Sequence, residues 1–440
     1  MTGPLVSTRA TIGLRDPGIR RDDGSFGLDT RDQRRSTRSG RIGPVQFSDQ
    51  ARRARLARRH ALHPDHRHSH PADVALAMVA LHATDPSTVH LGVAARLREA
   101  SVQAVENALY EERSLIKQLA MRRTLFALPR TVLPAVWGSA SARVAAQQQG
   151  LLGRDLERHG LTDDGAAWIE RGREAVLGRL KGGHALSARQ LREELPQIDG
   201  RTRQLDGGGR WQMSNLAFAP RLLTLLGAEH LIVRGRNEGH WRTSRPVWTL
   251  MQEWLGEQPV TLTAADGYAE LVRRWLWTFG PGTEADITWW LGATKSAVRA
   301  ALVAIGAVPV TLDSGATGYV LPGDEVPDDE PGDDWVALLP VLDSTLMGWK
   351  ERDFYVAPPL VPYLFDSNGN GGTTAWLNGR VVGCWVQDDD ARVMVVPSQP
   401  LARVHRRMLD AEAERLTSFL DGVVIANVYK SRLMKGEPLP

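Results

Sequence analysis

Residues 81–86 read LHATDP and place a histidine and a threonine two positions apart. An imidazole has an ordinary pKa of about 6.5, so His82 could accept a proton from a bound water near neutral pH. A hydroxyl is a poor base at that pH, and Thr84 could only orient the water. The pair therefore suggests chemistry on a water molecule. The alternative is a polar helix end in which Thr84 bonds to nearby backbone.

The elements around this pair decide whether the two side chains can meet. A residue that precedes proline is biased toward extended geometry, so we expect the preceding helix to end near His82. In an extended connector, positions i and i+2 point to the same side, which would turn Ala83 into the core. Asp85 is a candidate N-cap and Pro86 suits the first helical position, so the next helix is predicted to begin here.

The same order of elements, helices followed by a hairpin, occurs three times along the chain. The first predicted hairpin turns at Arg122 and Arg123, the second at residues 237–239, and the third in the segment DSGATG. Polar residues at helix starts support these assignments, since Ser, Thr and Asp cap helices; the candidates are Ser101, Ser187, Thr283 and Thr294. Helices followed by a hairpin are typical of winged-helix domains. We predict such domains over residues 48–150, 151–260 and 261–322.

The other segments differ in composition. Residues 1–60 contain 14 Arg and 6 Asp but no Lys or Glu, which favours a disordered basic arm over residues 1–47 that is attracted to phosphate. A simple solvated extension and a start codon placed too early are the alternatives. Residues 323–334, GDEVPDDEPGDD, indicate an acidic linker that would lie away from DNA. Residues 335–440 are predicted to be β-rich, with an Asn378-Gly379 hairpin, a helix over 401–420 and a strand over 423–429.

Composition limits the class of protein. The chain has 440 residues, 42% hydrophobic and 24% charged, with a net charge of +3, which is typical of globular proteins. The single cysteine, Cys384, excludes an internal disulfide and a Cys-based zinc cluster. No run of 18 apolar residues suggests a membrane span, and we expect a cytoplasmic protein. The histidines of HPDHRHSHP have no second cluster to complete a metal site, so a flexible loop is favoured there and no metal is predicted.

Several segments resemble the bacterial winged-helix DNA glycosylase family typified by AlkZ and YcaQ. They are ALAMVALHATDPSTVHLGVAARL, LAMRRTLFALP, RWLWTFGPGTEADITWWLG, LLPVLDSTLMGWKERD and FDSNGNGGTTAWLNGRVVGCW, in family order over roughly residues 50–430. The resemblance implies an α+β fold in which three tandem winged helices form a C shape, followed by a C-terminal β-barrel-like domain. It also implies a monofunctional, cofactor-free enzyme that binds duplex DNA and excises N-alkylated purines or unhooks crosslinks.

The family's catalytic motif, Gln-x-Gln or Gln-x-Asp before Asp-Pro, falls here on His82-Ala83-Thr84. N7-alkylation gives guanine a positive charge and weakens its bond to the sugar. The enzyme therefore needs only to hold the lesion, stabilise an oxocarbenium-like sugar and orient a water. His82 and Thr84 are accordingly the predicted catalytic residues, although a protonated histidine would suit a cationic sugar less well than an amide oxygen.

The candidates for DNA contact lie in four places: beside this motif, in the first two hairpins, in a Gly-rich loop, and at or just after the end of the segment LPVLDSTLMGWK. They are Asp85, Arg122, Arg123, Arg201, Arg203, Arg210, Arg234, Arg236, His240, Arg242, Lys350 and Arg352. Asp343 could face DNA or form a structural ion pair. Trp241 could insert beside DNA or pack inward. The helical spacing of other tryptophans predicts core positions; these are Trp275, Trp277, Trp289 and Trp290.

Two other functions fit the same sequence. One is a catalytically inactive lesion sensor that keeps the scaffold. The other is a winged-helix transcription regulator, which would usually dimerise on spaced half-sites. No coiled-coil heptads occur in the sequence, so we expect a monomer. Its predicted partner is double-stranded DNA with alkylated purines, which implies association with the nucleoid.

Overall fold

The computed structural model describes residues 45–202 and 216–439. Most of the predicted basic arm, together with Arg203 and Arg210, lies outside the described residues. The described strands form four sheets. None of the described helices has both the length and the apolar character that a membrane span requires.

The three predicted winged-helix domains are called units below, and in the first of them polar side chains fix where the helices begin. Ser48 and Ser101 accept hydrogen bonds from the backbone N–H groups of Ala51 and Ala104. These N–H groups have no partner within their helix, so the bonds favour a helix start at that point. The elements are β1 Gln46–Phe47, α1 Asp49–Arg59, α2 Pro71–Ala77, β2 Leu81–His82, α3 Pro86–Ala94, α4 Val102–Glu106, β3 Leu115–Ala120 and β4 Thr124–Pro129.

A short helix and a π-helical turn lead into the second unit. From that short helix onward, the elements are α5 Leu133–Val136, α6 Ala142–Arg158, α7 Gly165–Leu180, β5 Leu186–Ser187, α8 Ala188–Glu194, α9 Ala219–Ala228, β6 Ile232–Asn237, β7 Pro246–Leu250 and α10 Met251–Leu255. Ser187 forms a reciprocal capping box with Gln190, as its sequence position predicts. Helix α6 runs through the predicted boundary at residue 150, and Val144 and Leu152 on it both pack in the core of this unit.

The third unit is the most regular of the three. Its elements are α11 Ala264–Phe279, β8 Gly282–Thr283, α12 Glu284–Leu291, α13 Lys295–Ala304, β9 Val308–Leu312 and β10 Thr317–Val320. Thr283 and Thr294 cap α12 and α13, which confirms both predicted helix starts. Among the tryptophans predicted to be core, Trp275 and Trp290 are buried, but Trp277 is 55% exposed and Trp289 is only partly buried.

One strand order recurs in these three units. A short strand pairs with the second strand of the hairpin, which pairs with the first, giving β2-β4-β3, β5-β7-β6 and β8-β10-β9. The third sheet gains β1, which pairs in parallel with β9. The predicted hairpins and their repetition are therefore confirmed. Whether the units are winged helices arranged in a C shape stays a prediction.

The predicted C-terminal barrel is wrong, because no sheet of the described residues closes into a barrel. The C-terminal elements are β11 Val336–Leu339, α14 Val361–Leu364, β12 Thr374–Leu377, β13 Arg380–Gln387, β14 Val393–Pro397 and α15 Arg403–Leu420. Their four strands form an open sheet in the order β11-β12-β13-β14. Residues Leu409 and Leu416 of α15 pack with Leu338 and Trp385, so a helix covers the sheet face instead of further strands. The strand predicted over 423–429 does not form.

The acidic segment after the third unit contacts α1. The carboxylate of Asp324 lies 3.0 Å from Arg55 and 2.6 Å from Arg59, and Asp328 lies 2.7 Å from Arg58. Because Arg55 and Arg59 are almost fully buried, their charges need such partners. The acids in this segment therefore neutralise the arginines of α1.

Candidate active site

His82 lies on the edge strand of the first three-stranded sheet, opposite Phe126 on β4. The two rings meet edge-on, with 5.3 Å between their centroids. The side chain is 7% exposed, and its Nδ1 has no hydrogen-bond partner in the part of the chain that the structure describes. Buried polar atoms are nearly always hydrogen-bonded, so an unpaired ring nitrogen is suited to receive a water or a ligand.

The surroundings of His82 change the chemistry expected of it. Burial, together with the positive charge of Arg122, lowers the pKa of His82 to about 3. The imidazole is therefore neutral at pH 7 and much less basic than its ordinary pKa of about 6.5 would allow. A neutral imidazole still accepts a hydrogen bond and can orient a water. It also places no positive charge beside a cationic sugar.

The connector that carries His82 is extended, as predicted. Helix α2 ends at Ala77, and Leu81–His82 is a strand. His82 and Ala83 are both buried, whereas Thr84 is exposed. The burial does not follow the predicted alternation, in which Ala83 alone would turn inward. That His82 and Thr84 share one water remains a prediction.

Asp85 is the N-cap of α3. Its Oδ1 accepts hydrogen bonds from the backbone N–H of Ser87 at 2.9 Å and from the hydroxyl of Ser87 at 2.5 Å. These bonds confirm the predicted helix start. The carboxylate is 6% exposed, so its visible role is to fix α3 relative to the connector, and DNA contact by Asp85 stays a prediction.

Arg122 lies in the turn of the first hairpin and folds back onto the protein. Its φ is 55° and that of Arg123 is 59°, so two consecutive non-glycine residues occupy the left-handed region. Its guanidinium carbon lies 4.0 Å from the ring centroid of Trp289, and its Nε is buried without a partner among the described residues. Burial and the nearby Arg352 lower the pKa of Arg122 to about 10, which still leaves it charged at pH 7.

Arg352 approaches the same tryptophan from the C-terminal region. Its guanidinium carbon lies 5.6 Å from the Trp289 centroid and 4.2 Å from that of Phe365. Its Nη2 donates to the carbonyl oxygen of Trp349 at 3.1 Å, while its Nε is buried and, in the described part of the chain, unpaired. The structure thus brings together His82, Arg122 and Arg352, which the sequence separates by up to 270 residues.

Trp289 is the functional candidate that the sequence analysis missed, because helical spacing assigned it to the core. Trp289 and Trp290 are neighbours on α12, and adjacent helix positions point about 100° apart. Two consecutive tryptophans therefore point in different directions, and they need not be equally buried. Trp290 is buried at 3% exposure and Trp289 is the outward one.

Two carboxylates lie near Tyr429. Burial, followed by the charges of Asp85 and Asp366, raises the pKa of Tyr429. Asp366 Oδ1 accepts the backbone N–H groups of Asn368 and Asn370, at 2.8 and 2.9 Å. Asp85 and the segment FDSNGNGG therefore each place a carboxylate near Tyr429.

The remaining DNA-contact candidates lie apart from this cluster. Arg123 and His240 are exposed. Arg234 is partly buried, 5.3 Å from the centroid of Trp248, and Arg236 pairs with Glu111.

Other candidates are engaged with the protein itself. Arg242 donates to the carbonyl oxygen of Val424 at 2.5 Å. Trp241 packs inward against His90, with 4.9 Å between centroids. Arg201 pairs with Ala217 in an isolated bridge. Lys350 is exposed, and its backbone N–H donates to Asp286.

Asp343 forms a buried ion pair with Arg96, which is the structural alternative considered for it. Within residues 45–202 and 216–439, no group of three His, Cys, Asp or Glu side chains is placed to hold a metal ion.

The chain matches a family model and solved structures. The family model described as DNA glycosylase AlkZ-like matches residues 75–419. The solved structure of Streptomyces sahachiroi DNA glycosylase AlkZ is similar to this chain, with a TM-score of 0.68 and 20% sequence identity over 86% of this chain and 98% of that one. A comparison with curated proteins finds no significant match.

Proposed function

The chain belongs to the AlkZ-like DNA glycosylase family, and we propose that it hydrolyses the N-glycosidic bond of N-alkylated purines in duplex DNA. The observation that supports this most directly is the unpaired, buried Nδ1 of His82 at the position of the family's catalytic motif. Base excision or crosslink unhooking requires a water directed at C1′ of the sugar, and a neutral imidazole can direct it. The protein acts as a monomer through its three winged helices.

The proposed reaction relies on the leaving group more than on a strong base. The cationic alkylpurine departs with the electrons of the C1′–N9 bond and leaves an oxocarbenium-like sugar. His82 accepts a hydrogen bond from the water that adds to C1′, and Thr84 orients the same water. The water's proton passes to solvent as the hydroxyl forms, since the pKa of His82 is too low for it to keep the proton.

The charges around the connector suit this reaction. The carboxylates near Tyr429 would stabilise a cationic sugar, and Arg122 and Arg352 would attract DNA phosphates. Low local dielectric strengthens both effects.

Base release from duplex DNA tests the proposal. A duplex with one N7-methylguanine and another with a bulkier N7 adduct are incubated with excess protein, and the free base is quantified chromatographically. His82→Ala should lower the single-turnover rate by about 100-fold or more. Its affinity for a duplex with a tetrahydrofuran abasic analogue should change less than about threefold, because His82 carries no charge. Equal release by wild type and variant would remove His82 from the reaction.

A catalytically inactive lesion sensor is the second candidate. It is favoured by the replacement of the family's glutamine with a histidine of very low basicity. In that case the protein binds alkylated duplex in preference to unmodified duplex and releases no base above the rate without protein. The same assay therefore decides between the two functions.

A further inference from the structure

Arg122 and Arg352 are partly buried arginines. Several buried arginines of this protein pair with carboxylates: Arg55 with Asp324, Arg67 with Glu412 and Arg96 with Asp343. Within residues 45–202 and 216–439, neither Arg122 nor Arg352 has a carboxylate within ion-pair distance. Two guanidinium groups against one indole, each with an unpaired Nε, leave positive charge and hydrogen-bond donors unused.

The fold holds Arg122 in this position against a conformational cost. Left-handed backbone at a non-glycine residue is sterically unfavourable, and Arg122 and Arg123 both adopt it. Gly292, with φ 60°, lies so close that a Cβ there would be 3.0 Å from the backbone nitrogen and the Cγ of Arg122. Such strain is typically kept where a side chain has a function.

We propose that Arg122, Trp289 and Arg352 form a clamp for one DNA phosphodiester group, next to the nucleotide whose C1′ is presented to His82. This inference rests on the proposed function and specifies how the site takes its substrate. The three residues come from the first unit, the third unit and the C-terminal region, so the clamp exists only when these parts are packed together. It is called the Arg122–Trp289–Arg352 clamp below.

The chemistry of the clamp favours a phosphodiester over a base or a carboxylic acid. The planar guanidinium N–H groups bind phosphate oxygens with strong, charge-assisted hydrogen bonds, and contact with Trp289 restricts their orientation. A cationic alkylpurine would be repelled by two positive charges. An anion between the two arginines also relieves their mutual repulsion.

Binding to chemically modified DNA tests the clamp without relying on catalysis. Each duplex carries a tetrahydrofuran abasic analogue and a single uncharged methylphosphonate. In successive duplexes the methylphosphonate occupies each of the three linkages on either side of the abasic analogue. For the wild-type protein, one linkage should weaken binding about tenfold, since a hydrogen bond to a charged group contributes about 1.5 kcal/mol or more. The other linkages should have smaller effects.

Variants assign that linkage to the clamp. Arg122→Gln and Arg352→Gln should each weaken binding to unmodified DNA about tenfold and make binding insensitive to the methylphosphonate at that linkage. Arg98→Gln, which removes an exposed charge of the first unit, should keep the full sensitivity. If methylphosphonates act equally at all linkages, or if the arginine variants keep the wild-type pattern, the clamp is contradicted. The methylphosphonate scan of the wild-type protein tests the clamp even if a variant fails to fold.

Inorganic phosphate distinguishes a DNA phosphodiester from a free phosphate ion. Titration with inorganic phosphate at constant ionic strength should weaken DNA binding by wild type and leave the arginine variants unaffected. Competition by phosphate without any single sensitive linkage would mean that the site holds a free ion, which contradicts the proposal. If DNA binding depends on one linkage through Arg122 and Arg352 but no base is released, the clamp is supported and the proposed glycosylase activity is contradicted.

Discussion

The guanidinium of Arg96 and the carboxylate of Asp343 form a bidentate ion pair, with Nη2–Oδ1 and Nη1–Oδ2 distances of 2.7 and 2.9 Å. Arg96 is 0% exposed and Asp343 is 2% exposed. Arg96 also donates to Thr345 and to the carbonyl oxygen of His60. The first unit and the C-terminal region are therefore joined by a fully satisfied buried charge pair.

Removing one member of this pair should strongly destabilise the fold. Asp343→Ala leaves Arg96 buried without a counter-ion, which should lower the free energy of unfolding by about 3–5 kcal/mol in urea denaturation at pH 7. Asp410→Ala breaks the exposed ion pair with Arg406 and should change the free energy of unfolding by less than about 1 kcal/mol. Unchanged stability with a loss of DNA binding would instead place Asp343 at the DNA surface.

His60 should make the protein less stable in mild acid. It is fully buried, with Nδ1 2.8 Å from the Thr345 hydroxyl and Nε2 3.1 Å from the Thr278 carbonyl oxygen. Burial, and then the charge of Arg96, lowers its pKa to about 3. Its contribution to stability is complete above the unfolded-state pKa of about 6.5 and is lost as the pH falls from there toward 3, because only the unfolded chain binds the proton.

Urea unfolding at pH 6.5 and 5.5 measures this effect. Over that interval the free energy of unfolding of the wild type should fall by about 1 kcal/mol more than that of His60→Gln. His184→Gln, at an exposed position, should match the wild-type pH dependence. Identical pH dependence in all three proteins would contradict a neutral, buried His60.

The sequence predicted those parts of the fold that depend on local interactions. Thr283 and Thr294 cap their helices, and Asn378-Gly379 forms the turn between β12 and β13, because each signal acts within a few residues. The barrel prediction came from family resemblance and failed. Closure of a sheet depends on contacts between distant strands, and here α15 takes the place that further strands would need.

The candidate site was predictable only in part for the same reason. His82 was located by its motif, and Arg122 by its place in a hairpin turn. The burial that lowers the pKa of His82 depends on tertiary packing, which no local pattern encodes. Nothing in the local sequence shows that Arg122 would stack on Trp289, since the two residues lie 167 positions apart.

The low pKa of His82 predicts a flat pH profile for base release. If the enzyme uses a neutral imidazole, the fraction of active enzyme is constant well above pH 3. The single-turnover rate on N7-methylguanine duplex should therefore vary less than about twofold between pH 5.5 and 8. His82→Gln, which restores the glutamine of the family motif, should show the same flat profile. An inflection near pH 6.5 in the wild type alone would mean that His82 is protonated in this range.

Gly292 should control DNA binding through Arg122. In Gly292→Ala the new Cβ meets the backbone and Cγ of Arg122 at 3.0 Å, so Arg122 must shift by a few tenths of an ångström, which disturbs its contact with Trp289. The left-handed backbone at this position, φ 60°, adds a stability loss of about 1 kcal/mol. Affinity for the abasic duplex should fall several-fold, with loss of sensitivity to the methylphosphonate at the clamp linkage.

Gly315→Ala is the matched control for this substitution. Gly315 also has a left-handed backbone, with φ 78°, but a Cβ there would meet no atom within 4 Å. It should therefore lose similar stability, about 1 kcal/mol, in urea denaturation while keeping wild-type DNA affinity and linkage sensitivity. Equal DNA affinity in the two variants would show that displacing Arg122 does not matter for binding. A loss confined to Gly292→Ala would tie DNA affinity to the position of Arg122, because the backbone strain is common to both proteins.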